Sequence, residues 1–182
     1  MDQPFPALRG RRLLLERFVP GDAETVRLLA GDPGVAAMTQ HIPHPYPAGA
    51  AEVWIAAHAR QFEAGLNVVF AIRLAGSLVG CVNLQLGPEE GELGYWIGKP
   101  FWGQGYATEA VRLVVGYAFG ELGLARVTGR HLVANPASGR VMEKAGLAWQ
   151  GLQPGAAVKD GHAIDLVLWG ASAVSASGTP SA

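Results

Sequence analysis

The residues whose types and spacing point most directly to chemistry lie in ELGYWIGKPFWGQGYATEA, positions 92 to 110. A strand is predicted to end near Ile97 or Gly98, the chain turns, and Gly103 and Gly105 stand just before the longest apolar-periodic run of the chain. Glycine at such positions removes Cβ and lets backbone amides converge on an anion at a helix N-terminus, so a phosphate or pyrophosphate is the natural ligand. Spacing argues against two other phosphate loops. A dinucleotide fold asks for G-x-G-x-x-G, and Thr108 stands where the third glycine belongs; the G-x-x-x-x-G-K-[ST] pattern is absent. Taken alone, the two glycines are accounted for equally well by a tight turn that serves only close packing.

Other reactive side chains are spread along the chain. His41, His44 and Tyr46, with Met38, fall in a proline-rich stretch from 31 to 49 that makes a poor helix or strand and is expected to line a ligand cleft. His131 lies in a predicted strand, and Asn135 and Ser138 stand at the start of a short helix, where either side chain can cap it. His162 and Asp165 are three apart, which puts them on opposite faces of a regular strand. Cys81, the single cysteine, sits in VGCVNL without an activating neighbour and reads as a small hydrophobe. It cannot form an internal disulfide, which favours a reducing compartment, and no cysteine and histidine set has zinc spacing, so no metal is expected.

The elements that must position these groups follow from periodicity. Strands are predicted at 12–18, 68–74, 77–86 and 92–97, with Ala75 and Gly76 as a hairpin turn, then at 125–134, 147–150 and 162–169. Helices are predicted at 23–30, 50–64 and 136–144, and a long one after Pro100, where Ala107, Ala110, Val111, Val114, Ala118 and Leu122 recur at three- and four-residue intervals. This order predicts an α/β (α+β) sandwich rather than a helical bundle. One domain over residues 1 to 170 is expected, followed by a disordered tail of small and polar residues from 171 to 182.

The segment GYWIGKPFWGQGYATEA, followed some twenty-five residues later by NPASGRVMEKAGL, resembles the GCN5-related N-acetyltransferases. More narrowly it is similar to the branch that holds the ribosomal-protein N-terminal (alanine and serine) acetyltransferases. The resemblance spans roughly residues 10 to 169. It implies a mostly antiparallel sheet of about seven strands flanked by about four helices, with acetyl-coenzyme A as cosubstrate. The family's Q/R-x-x-G-x-G/A loop maps to Trp102, Gly103, Gln104, Gly105, Tyr106 and Ala107, with Thr108 following; the first position departs, being tryptophan. The resemblance further implies that the backbone of Tyr95, Trp96 and Ile97 pairs with the pantetheine arm, and that Asn135 and Ser138 lie close to that arm.

The reaction so implied is direct attack of a neutral amine on a thioester, which needs a proton acceptor, a donor for the carbonyl oxygen and a proton for the departing thiolate. Glu92 and His131 are the candidate bases, each with a passive strand role as the alternative, and Ser138 can donate to the sulfur. His41, His44, Tyr46 and Asp165 are the candidate substrate-binding residues. The expected acceptor is the α-amino group of a protein or peptide. Small-molecule amines are the alternative, and a non-catalytic acyl-coenzyme A sensor is a third reading. Lys plus Arg number 14 against 15 Asp plus Glu, and no basic run exceeds Arg11–Arg12, so nucleic-acid binding is not expected. No apolar stretch approaches the roughly 18 residues of a membrane span, and a cytoplasmic location is the expectation. A mean hydropathy of +0.19 leaves apolar surface for self-association, such as a homodimer.

Overall fold

Near-continuous apolar runs in the middle of the chain, buried on both faces, generate the sheet on which everything else is built. The computed structural model describes residues 4–173, and their strands form one eight-stranded sheet in the order β1-β2-β3-β4-β5-β6-β8-β7. These are β1 (Leu8–Arg9), β2 (Leu13–Arg17), β3 (Asn67–Leu74), β4 (Ser77–Leu86), β5 (Glu90–Ile97), β6 (Arg126–Leu132), β7 (Ala148–Lys159) and β8 (His162–Ser172). Helices α1 (Ala23–Ala30), α2 (Pro33–Ala37) and α3 (Ala50–Glu63) precede β3, α4 (Tyr106–Gly120) joins β5 to β6, and α5 (Pro136–Lys144) follows β6. The expected mixed sandwich is present, with the sheet largely antiparallel. Ala75 and Gly76 take φ of 48° and 86°, the left-handed pair that a two-residue hairpin requires.

Alternation sorts the sheet's side chains onto two faces. Phe70, Ile72, Leu84, Leu93 and Val127 pack with Ala110, Val111, Val114 and Ala118 of α4, all of them at 3% exposure or less. Burial of each such valine contributes about 1.5–3 kcal/mol. On the opposite face Val69, Ala71, Cys81 and Trp96 meet Val26 and Ala30 of α1 and Ala51 and Ile55 of α3.

One pairing breaks the antiparallel rule, and it positions the site. The α4 crossover brings β6 alongside β5 in the same direction, the sole parallel pairing among the described residues. Its register runs from Glu90↔Arg126 to Leu93↔Gly129 and stops there, although β5 continues to Ile97 and β6 to Leu132. Beyond Leu93 the two strands part, and β5 keeps a partner only on its β4 side.

Several expected boundaries change. The proline-rich stretch contains α2, which starts with Pro33 in its first turn and the Asp32 side chain accepting the Gly34 amide at 2.7 Å. Residues 151 to 159, between the strands predicted at 147–150 and 162–169, belong to β7. Register shifts at Trp149/Gly151 and Gln153/Ala157 accommodate Pro154, as an edge strand permits. Ala171 and Ser172 are the end of β8 rather than the start of a tail; the remainder of the predicted tail, 174 to 182, lies outside the described residues. No helix among the described residues is long and apolar enough to cross a membrane.

Candidate active site

Antiparallel alternation determines which backbone groups of β5 face the gap. Gly98 donates its amide to the Val79 carbonyl at 2.9 Å, so Trp96, two residues back, exchanges its backbone bonds with Cys81 of β4. Tyr95 and Ile97 then point their amides and carbonyls toward the side that β6 has left. Trp96 is placed differently from Tyr95 and Ile97: its backbone pairs with β4 and its indole is buried against the α1 to α3 layer. The Trp102 indole donates to the Ile97 carbonyl at 2.6 Å, folding the tryptophan back over the turn. An extended chain of amides can therefore add to β5 at Tyr95 and at the Ile97 amide, as a strand adds to a sheet edge.

The loop that follows supplies the anion site. Gly103 and Gly105 have φ of 73° and 79°, a region open to glycine and strained for other residues. The first bond at the start of α4 is Glu109 amide to Gly105 carbonyl at 3.1 Å, and among the described residues none of the amides from Gly103 to Thr108 donates to a backbone carbonyl. Unpaired donors at the positive end of a fifteen-residue helix fit a pyrophosphate.

A residue far away in sequence holds this loop. Arg12 on the approach to β2 donates Nε to Glu109 Oε2 at 2.8 Å and Nη1 to the Gln104 carbonyl at 2.9 Å. Its guanidinium lies 4.6 Å from the centre of the Tyr106 ring. Glu109 also accepts the amides of Arg12 at 2.7 Å and Leu13 at 3.2 Å. Burial pushes the Glu109 carboxyl upward, and these Arg12 and Leu13 hydrogen bonds outweigh it, leaving it below the ordinary carboxylate value.

Across the gap stands the start of α5. Asn135 caps that helix, its Oδ1 accepting the Ser138 amide at 3.2 Å, while its Nδ2 donates to the Met38 carbonyl at 3.0 Å. Ser138 Oγ lies 2.6 Å from the Tyr95 hydroxyl, which also donates to the Ser138 carbonyl at 3.0 Å. This contact joins β5 to α5 across the gap. Burial pushes the Tyr95 phenol up to about 12, with the Ser138 hydrogen bond opposing, so it keeps its proton at neutral pH.

Glu92 belongs to the other face. Its partner across β4 is Gln85, and Gln85 in turn faces Asn67 on β3, which makes a polar row on the Trp96 side of the sheet. Asn83 stands beside this row, donating to Asn67 at 3.2 Å and lying so close over Gly94 that a Cβ there would sit 2.5 Å from its Oδ1. Arg130 of β6 places Nε 2.7 Å from Glu92 Oε1, and both side chains are about 40% exposed. A cleft of about 1030 Å³ joins the two halves, lined by Trp102, Gly103, Gly105 to Thr108, Asn135 and Ser138 on one side and by Glu92, Arg130, His41 and Tyr46 on the other.

The remaining candidate residues separate. His41 and Tyr46 line the cleft, with burial pushing the Tyr46 phenol up and Glu52 adding to it. His44 is exposed and bonded through Nδ1 to the Gly31 carbonyl at 3.1 Å. Asp165 is exposed and accepts the Gly155 amide at 2.8 Å, pinning the irregular stretch of β7. His131 lies on the α5 face of β6, beside Gly139, with Nδ1 at 2.8 Å from the Leu132 carbonyl and Nε2 unpaired. Burial drives the Cys81 thiol far up, which keeps it an unreactive thiol. Lys159 of β7, not foreseen from the sequence, donates to the Ala36 and Thr39 carbonyls at 2.9 and 2.7 Å and ties the His41 segment over the cleft. Arg12, Arg130 and the Tyr95 hydroxyl were likewise missed, because each acts on a residue distant in sequence or across a strand.

An open strand edge on β5, an anion cradle at a helix N-terminus and a carboxylate on the adjoining face are parts that an acyl-transfer site requires. The chain belongs to the acetyltransferase (GNAT) domain family, whose model matches residues 12–148. It is 38% identical over 97 residues, 52% of this chain and 53% of the other, to YdaF of Bacillus subtilis (strain 168), provisionally named a ribosomal N-acetyltransferase. It is 52% identical over 56 residues to the FsC-acetyl coenzyme A-N(2)-transacetylase of Aspergillus fumigatus, covering 31% of this chain and 24% of that one. The chain thus spans about half or less of the length of these curated relatives. The fold matches that of a GNAT-family acetyltransferase from Bacillus anthracis with a TM-score of 0.82 at 22% identity, covering 93% of this chain and 99% of that one.

Proposed function

We propose that the protein transfers the acetyl group of acetyl-coenzyme A to a primary amine, with the α-amino group of a protein or peptide as the acceptor. The observation that carries this reading is the open edge of β5 at Tyr95 and Ile97 leading into the unpaired amides of 103 to 108. Those amides would hold the pyrophosphate, and the β5 edge would hold the amide-bearing arm. The cosubstrate brings the thioester as the activated acyl donor. Glu92, half-buried on the acceptor side of the cleft, takes the amine proton directly or through a water; the nitrogen bonds to the carbonyl carbon, and the C–S bond breaks as that adduct collapses. Ser138, backed by the protonated Tyr95 phenol, returns a proton to the departing sulfur. Neutral amides at Asn67, Asn83 and Gln85 suit a peptide's own amides, and the likeness to YdaF supports a protein acceptor. The likeness to the fungal N(2)-transacetylase favours a small amine as the second reading.

The test is release of coenzyme A thiol from acetyl-coenzyme A against a panel of N-terminal peptides, amino acids, polyamines and aminoglycosides, with product mass confirmed. Acceptor-dependent acetylation, lowered roughly 100-fold or more in Glu92→Gln, is the expected outcome. Failure of acetyl-coenzyme A to bind at all would remove the account of the glycine loop.

A further inference from the structure

The charges around the cleft are unequal. Among the described residues that line it, Glu92 is the sole carboxylate, whereas Arg130, Arg140 and Lys144 all line it as cations. Arg140 and Lys144 belong to α5, beside the loop half of the cleft, where an anionic cosubstrate accounts for them. Arg130 has no such account. It stands on β6, paired to Glu92 at 2.7 Å, on the acceptor side, and about 40% exposed.

That pair conflicts with a simple amine acceptor. A lone ammonium approaching Glu92 meets the guanidinium already seated there, and a polycation meets it with more charge. An acceptor that carries a carboxylate beside its amine resolves the conflict. Its carboxylate takes the planar, two-pronged guanidinium, and its ammonium takes the Glu92 carboxylate, so one ion pair becomes two and Glu92 is released from Arg130 to accept a proton.

From this arrangement, and resting on the acetyl-transfer reading above, we infer that the acceptor bears a carboxylate next to its amine and that Arg130 selects for it. The carboxylate can be the α-carboxylate of a free amino acid or the side chain of an acidic residue at the start of a peptide. Gln85 of β4 stands opposite Glu92 and Asn83 opposite Gly94, so polar side chains flank the pair on that side.

The experiment measures kcat/KM for matched acceptors with the full chain: a free amino acid against its carboxamide, and peptides beginning with an acidic against a neutral residue, with spermidine as the polycation. The wild-type protein is expected to favour the carboxylate member of at least one matched pair by about tenfold or more. The pair that shows the preference identifies the source. Arg130→Ala is expected to bring that ratio to about one, and Arg130→Lys, which keeps the charge without the fork, to hold it in between. Equal use of carboxylate and carboxamide in both pairs, spermidine as the best acceptor, or an Arg130→Ala variant that keeps the ratio would each overturn the inference while leaving acetyl transfer intact. If acetyl-coenzyme A binds by calorimetry and no acceptor in the panel is acetylated, the acetyl-transfer reading falls and the inference falls with it.

Discussion

Replacing Arg12 with alanine separates the groups that hold the anion loop from those that touch its ligand. The guanidinium makes three contacts: Glu109 at 2.8 Å, the Gln104 carbonyl at 2.9 Å and the Tyr106 ring at 4.6 Å. With 41% of the Arg12 side chain exposed, the ion pair contributes about 0.5 kcal/mol. The bond to Gln104 adds about 1 kcal/mol, and the ring contact about 0.5 kcal/mol. The backbone amides of Arg12 and Leu13 still reach Glu109 in the variant, so the net loss is about 2 kcal/mol, or a fall in Tm of roughly 4–8 °C for a chain this long.

The loop feels that loss in two ways. The Gln104 carbonyl is no longer drawn back, which loosens the neighbouring amides, and the Glu109 charge near the start of α4 is no longer offset. About 1–2 kcal/mol expressed at the loop corresponds to a rise in KM for acetyl-coenzyme A of roughly 5–30-fold. The value of kcat at saturating cosubstrate should stay within about twofold. Steady-state kinetics together with coenzyme A calorimetry check both numbers, and Arg12→Lys should recover part of the affinity. A variant with lowered Tm but unchanged KM and coenzyme A affinity would refute the reasoning, because Arg12 would then stabilise the fold without shaping the loop.

His58 is 7% exposed with both ring nitrogens unpaired, packed against Trp54 and Phe18, and burial holds it down to about 4. It therefore stays neutral in the folded protein while the unfolded chain titrates near 6.5. Its contribution is intact above that pH and is lost as pH falls toward 4, by up to roughly 3 kcal/mol. Urea unfolding at pH 7.5 and 5.0 should show this loss, and His58→Phe should flatten it. Tyr95→Phe removes the hydroxyl that contacts Ser138 at 2.6 Å and is expected to lower kcat about tenfold with little change in KM for acetyl-coenzyme A. An unchanged kcat would take Tyr95 out of the proton path. Asn135→Ala loses both the α5 cap and the tether to Met38, about 1 kcal/mol each, so Tm should fall by roughly 4–8 °C and KM for the acceptor should rise, as read from melting curves and acceptor titrations.

Local chemistry was legible in the sequence and long-range chemistry was not. The hairpin at Ala75 and Gly76, the helices at 23–30 and 136–144 and the apolar stripe of α4 all follow from residues within a turn or two of one another, and the structure has them where the spacing puts them. The glycine loop was readable for the same reason. By contrast the strand predicted at 147–150 stops short of Pro154 and Gly155, because nothing in those residues says that β7 lies at an edge, where a missing amide costs little. Asp165, surrounded by apolar residues, suggested a substrate contact, yet its carboxylate serves the Gly155 amide ten positions away.

What the site needs most lies beyond local reading altogether. A parallel pair inside an antiparallel sheet arises from the α4 crossover, and the gap opens because that pairing ends at Leu93 and Gly129 while both strands continue. Tyr95 can meet Ser138 across the gap only in that register, and Arg130 reaches Glu92 because two β6 residues beyond Thr128 return its side chain to the Glu92 face. A one-residue slip of β6 would send Arg130 to the α5 face and His131 toward Glu92, exchanging the anion selector for a second titratable group. The selectivity of the cleft is therefore a property of strand register, and acceptor preference should respond to changes that shift the β5–β6 register even when every side chain in the cleft is retained.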